Sequence, residues 1–315
     1  MNKVISQLKE FIQSDFEWKT YLWTFVFITT AITINYTFGF ENKIIYNHPD
    51  MKVIMIRFLG FYMLAYFAIA IPKMFIQNKQ YLFANPIFWV KISLFLLLIS
   101  ITSGFRFEYY WFSAISDSQT RLFVLKLSSQ LKCLFLYTFP LIIMCRIFDK
   151  NQEGIYGLSW RFGNGSVYLK MLLIMIPIIV IASFTPDFIQ AYPRYKVWQF
   201  ETMDIMPVWA STSIFEFLYV VDFTMTEWMF RGALVLGMVA IMGKDAVLPM
   251  VSVYVFLHFG KPLGETIGAF FGGYILGVLA YTTRHIWGGV LIHAGIALIM
   301  EFMGFFQYYV MGIHR

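Results

Sequence analysis

Four side chains in the last third of this 315-residue chain could do chemistry together: Glu227, Arg231, His258 and His293. Each falls inside an apolar run, where an ionisable group costs at least ~2.5–3.5 kcal/mol at the centre of a bilayer, so such groups turn inward, pair and mark function. Glu216, Asp222, Glu265 and Glu301 enter the same region. Glu227 and Arg231 stand four residues apart in TEWMFRGA, one helical turn, and can form an internal ion pair on one face. In one reading the pair neutralises itself and holds two helices together. In the other the arginine orients the carboxylate and keeps it ionised as a base. His258 closes VLPMVSVYVFLH, and FGKPLGE follows, in which Gly260, Pro262 and Gly264 break the helix and bring Lys261 and Glu265 to a turn at membrane depth. Irregular backbone at that depth is tolerated only where protein buries it or a wet cavity adjoins it. His293 lies about halfway along the uncharged run IWGGVLIHAGIALIM. A lone histidine there is ordinarily an interhelical hydrogen-bonder. Glu227, His258 and His293, however, come from three successive helical regions and can converge only in the interior of a bundle.

Two chemistries fit such a set. HExxH is absent, which removes the zincin arrangement of two histidines on one helical turn, yet two histidines plus Glu227 could still coordinate zinc. A metal-free hydrolase needs the same groups: a carboxylate and an imidazole to activate water, and another imidazole to stabilise the oxyanion. No GxGxxG or P-loop occurs. Gly268, Gly272, Gly273 and Gly277 form overlapping small-xxx-small patterns, which predict close helix packing.

The elements that must position these groups are membrane helices. Hydrophobic residues make up 59% of the chain and charged ones 13%, about half of what a soluble domain carries. The apolar residues fall into runs of about 15–20 with no alternation, the signature of a polytopic all-α bundle and not of a β-barrel. A formal charge of +6, scattered over loops, argues against nucleic acid and for contact with anionic headgroups. Cys133 and Cys145 carry no disulfide or zinc pattern.

Residues 1–19 place Val4, Ile5, Leu8, Phe11 and Ile12 at helical spacing and predict an interfacial amphipathic helix, with no signal-peptide pattern. Residues 20–200 read as N-terminal transmembrane helices, the first from Thr20 to Phe40, and 201–315 as the helical core with the site. About eight transmembrane helices are expected, with 207–242 either one long broken segment or two short ones. Arg57, Lys73, Lys91 and Arg146, near run ends, are expected to snorkel. The distribution of Lys and Arg weakly favours a cytoplasmic N-terminus. The expected location is the plasma (inner) membrane, multi-pass.

The order of these motifs resembles the CAAX-protease and bacteriocin-processing (CPBP, or Abi) family of intramembrane proteases. That family carries EExxxR on one helix, FxxxH on the next and HxxxN or HxxxD on a later one. Over about 205–303, Thr226, Glu227 and Arg231 stand at the first motif, Tyr254 and His258 at the second, and His293 and Ala297 at the third. Thr226 replaces the first glutamate, to which the resemblance assigns water activation, and Ala297 replaces an oxyanion partner. The resemblance therefore implies either that Glu227 has become the base, helped by Glu265 or Glu301, or that the fold persists as a non-catalytic pseudoprotease. A single-glutamate form, with an aromatic residue flanking ExxxRG and with HFGKP plus Glu, looks similar to a branch of the same family. It implies catalytic Glu227, His258 and His293 supported by Arg231, Lys261 and Glu265, acting on a membrane-associated protein or peptide. A transporter fits less well, because paired broken helices in two halves are not evident.

Overall fold

Long runs without charge have one way to satisfy their backbone in hydrocarbon, and here they fold as helices. The structure is a computed structural model and describes residues 2–152, 154–201, 203 and 205–313. In chain order the helices are α1 (Asn2–Asp15), α2 (Trp18–Phe38), α3 (Met51–Ile76), α4 (Pro86–Gly104), α5 (Glu108–Trp111), α6 (Ser118–Phe148), α7 (Gly165–Ala182) and α8 (Pro186–Ala191). They continue as α9 (Val208–Glu227), α10 (Val239–Met242), α11 (Val247–Leu257), α12 (Leu263–Thr283) and α13 (Trp287–Tyr309). A π-helix, Trp228–Leu236, follows α9 without a break. Among the described residues there is no strand, and seven segments are long and apolar enough to cross a membrane. The fold is therefore an all-α polytopic bundle. The stretch 208–257 is one apolar segment of 50 residues interrupted by the π-helix and short turns, so 207–242 is a single broken segment. With 11 residues, α11 is about 16 Å long, half a hydrocarbon core. Its residues from Val247 to Phe256 are all buried in protein.

The helices divide into two compact units. The first comprises Met1–Phe105, Phe139–Val167 and Glu227–Gly289. Along α1, Val4 and Phe11 are buried, with the Phe11 ring edge-on to Tyr274 and Tyr281 of α12. Ile5 and Ile12 remain exposed, the edge that a membrane surface would take up. Of the cations expected to snorkel, Lys73 and Lys91 do not. Lys73 is fully buried between Asp15 and Asp245 (2.9 and 3.2 Å), and Lys91 is buried against Asp149. Ionic partners supplied from distant segments outweigh a reach for the headgroups. Arg57 donates to the carbonyls of Ile44 and Asn47 (2.6 and 3.2 Å) at an exposed site. Arg146 is exposed.

The glycine pattern of α12 is only half used for packing. A Cβ on Gly273 would meet the Tyr254 ring at 3.0 Å, and one on Gly277 would meet Met250 at 2.7 Å, so this pair lets α11 and α12 approach closely. Gly268 and Gly272 face open space.

The second unit comprises Arg106–Thr138, Tyr168–Thr226 and Val290–Arg315. Its core is aromatic: Phe123, Tyr195, Phe200, Phe215 and Tyr219 pack together with Ala297. Glu301 is buried, and its carboxylate accepts the backbone N–H groups of Arg194 (2.7 and 2.9 Å) and Tyr195 (3.3 Å), fixing the connection that follows α8.

Candidate active site

The Glu227–Arg231 ion pair forms as its spacing predicts, 2.9 Å between Oε1 and Nη1, with both side chains wholly excluded from solvent. The helical form differs from the expected regular turn. Glu227 ends α9, and Arg231 lies in the π-helix, a form frequent at functional sites. Behind the arginine stands Tyr254 of α11, its ring centroid 4.1 Å from the guanidinium carbon. A guanidinium held between a carboxylate and an aromatic face keeps its orientation. Gly289 lies against the carboxylate, where any Cβ would run into Oε2 of Glu227.

His258 follows α11 directly and is buried. Its Nδ1 lies 2.7 Å from the carbonyl oxygen of Tyr254. A carbonyl only accepts, so in the neutral imidazole the proton sits on Nδ1 and the basic lone pair on Nε2. The rings of Tyr254 and His258 are 4.5 Å apart, so one aromatic residue touches both the arginine and the histidine. Glu227, Arg231 and His258 are thus linked through Tyr254 within the first unit.

The turn after His258 is held from below by the end of α2. Asn35 donates to the carbonyl of Phe259 (3.0 Å) and accepts the backbone N–H of Glu41 (2.9 Å). The hydroxyls of Tyr36 and Thr266 lie 2.6 Å apart, with the carbonyl of Lys261 2.5 Å from the first and that of His258 2.5 Å from the second, so their two protons are shared among three contacts. Lys261 and Glu265 pair at 3.5 Å and are partly exposed, at the surface of this turn. Glu41 is buried beneath Gly260, and burial raises its carboxyl to about 7. Asn35, Tyr36, Glu41, Thr266 and Gly289 escaped the sequence reading. Asn35 alone carried a signal, a single amide in the Thr20–Phe40 run.

A cavity of about 460 Å³ lies between α2 and α12, lined by Phe25, Ile28, Ile32, Tyr36, Leu263, Ile267 and Phe271 among others. Its wall is apolar, and Tyr36 connects it to the His258 turn.

His293 belongs to the second unit, where its ring meets Phe223 edge-on at 4.4 Å. Ala297, at the position where the family motif has a polar residue, is packed in the aromatic core of that unit. Glu301 is engaged with backbone amides, a structural role. Among the described residues no three His, Cys, Asp or Glu side chains gather as metal ligands would.

Residues 207–299 match the family model of the type II CAAX prenyl endopeptidases, Rce1-like. The match contains all three motifs, from Thr226 to Ala297, and agrees with the CPBP resemblance. No curated protein and no solved structure matches the chain.

Proposed function

We propose that the protein is an intramembrane endopeptidase that hydrolyses a peptide bond in a membrane-associated protein or peptide, in the plasma (inner) membrane. One observation carries this reading: a solvent-excluded Glu227–Arg231 pair is coupled through Tyr254 to His258, inside the segment that matches a peptidase family. Glu227, oriented by Arg231, takes a proton from water, and Nε2 of His258 is the second base that such a step uses. The resulting hydroxide adds to the scissile carbonyl, and the proton passes on to the leaving amine. His293 enters on its motif position as the oxyanion donor. Lys261 and Glu265 hold the turn after His258. The apolar cavity beside that turn suits a hydrocarbon-rich stretch of substrate.

A second reading has a specific observation behind it. Thr226 leaves the first motif position without a carboxylate and the core-packed Ala297 leaves the last without a polar group, as in a pseudoprotease that binds without cutting. Both readings meet in one experiment: purified protein in lipid is given a peptide pool, with and without a chelator, as wild type and as Glu227→Gln. An endopeptidase cuts, and Glu227→Gln lowers turnover by about 10²–10⁴ while the variant still unfolds cooperatively. Equal cutting by the variant removes Glu227 as the base, and peptide binding without cutting in both proteins establishes the pseudoprotease. Loss of cutting on chelation brings zinc into the site.

A further inference from the structure

The π-helix that carries Arg231 is gripped along its length by one turn of chain, described at residues 149–152 and 154–158, and by Lys91. The indole of Trp228, its first residue, donates to the carbonyl of Ile155 (2.8 Å). At its middle, Gly232 lies under the turn, where a Cβ would come 2.6 Å from the carbonyl oxygen of Tyr156. At its end, the amide of Gln152 donates to the carbonyl of Leu236 (3.2 Å), and the ammonium of Lys91 donates to the carbonyl of Gly237. Residues 228, 232 and 236 share one face of the helix, so the turn holds that face while Arg231 meets Tyr254 on another.

The turn is itself pinned by a buried polar cluster. Lys91 is fixed to both oxygens of Asp149 (2.9 and 2.7 Å), and the hydroxyl of Tyr156 donates to the same carboxylate (2.8 Å). Tyr156 is fully buried and sits at φ 50°, in the left-handed region that a non-glycine residue rarely adopts. Ile155 and Leu158 close the turn with reciprocal backbone bonds (3.2 and 3.1 Å), and the N–H of Ile286 donates to the carbonyl of Gly157 (3.2 Å). A π-helix is intrinsically unfavourable, and this one takes its supports from outside.

We infer that Asp149 and Tyr156 are positioning residues: through the turn they share, they set the register of the π-helix and with it the orientation of Arg231 towards Glu227. The inference rests on the reading of that pair as the reacting group, and its test has an arm that does not. Tyr156→Phe removes one hydroxyl and leaves the ring packing intact. It is expected to speed amide hydrogen exchange across 228–237 about tenfold, with α11 and α12 unchanged, and to lower kcat about tenfold at constant KM. Trp160→Ala, at an exposed position beyond the turn, is expected to change neither. Gln152→Ala loosens the far end of the same grip and is expected to act in the same direction, which keeps the test decisive if Tyr156→Phe does not fold. Exchange across 228–237 equal to wild type in the folded variant overturns the inference, whatever happens to cleavage. A wild type that cuts nothing overturns the endopeptidase reading alone, and the exchange measurement still decides the positioning.

Discussion

Arg231 and Arg57 carry the same charge in opposite surroundings. Arg57 spends its donors on two backbone carbonyls at an exposed site, and water can replace them. Arg231 is wholly buried against a wholly buried carboxylate. Arg231→Ala therefore leaves the buried Glu227 carboxyl group without its ionic partner, at a cost of roughly 3–5 kcal/mol, against about 1 kcal/mol for Arg57→Ala. Thermal unfolding of both variants in the same lipid or detergent should separate them clearly, and equal losses would count against the pairing. The pair was legible because its partners lie four residues apart and any helical form brings them together. The role of Tyr254 was legible only as a motif position. That its ring backs the arginine depends on how α11 crosses the π-helix, which spacing does not encode.

At the scale of elements, the connection from α2 to α3 acts on the turn after His258. Glu41 lies beneath Gly260, and its backbone N–H is tied to Asn35, which also holds Phe259. Burial pushes the Glu41 carboxyl up to about 7, from an ordinary value of 4.5. Below the ordinary value both folded and unfolded chains hold the proton, and the group does not change stability with pH. Between that value and about 7 the folded chain binds more proton than the unfolded one, so stability falls as pH rises and levels off above the raised value. Glu41→Gln has no proton to lose. Relative to wild type it should gain roughly 1–3 kcal/mol on going from pH 5 to pH 8, read as the difference in unfolding free energy at the two pH values. Parallel pH profiles for the two proteins would show that Glu41 is not buried as its position indicates.

At the scale of the whole chain, the long helices were legible because an uncharged run of about 20 residues has few alternatives to a helix, although the Thr20–Phe40 run, found as α2, is not among the seven segments apolar enough to cross a membrane. The fate of the lysines was not. Lys73 is 58 residues from Asp15 and 172 from Asp245, and nothing in the local pattern says that the three will meet. Asp15 takes a further hydrogen bond from Tyr21 (2.8 Å), whose hydroxyl shares one with Tyr274 (2.7 Å), while Asp245 also binds the half-exposed Lys79 (2.6 Å). The cluster thus joins the end of α1 to α3, α12 and the turn before α11, and it decides how the N-terminal helix is attached to the first unit. Buried ion clusters are costly to break and nearly neutral to replace, because removing one member strands the others without solvent whereas removing all of them strands nothing. Lys73→Met alone leaves Asp15 with the Tyr21 hydroxyl and Asp245 with Lys79 in place of the ammonium they share, and the expected loss is roughly 3–5 kcal/mol, with α1 freed to rapid hydrogen exchange. Adding Asp15→Asn and Asp245→Asn removes the stranded charges and should recover most of that loss, with α1 again protected. A triple variant no more stable than Lys73→Met would mean that the lysine acts through its packing in α3 and not through its charge.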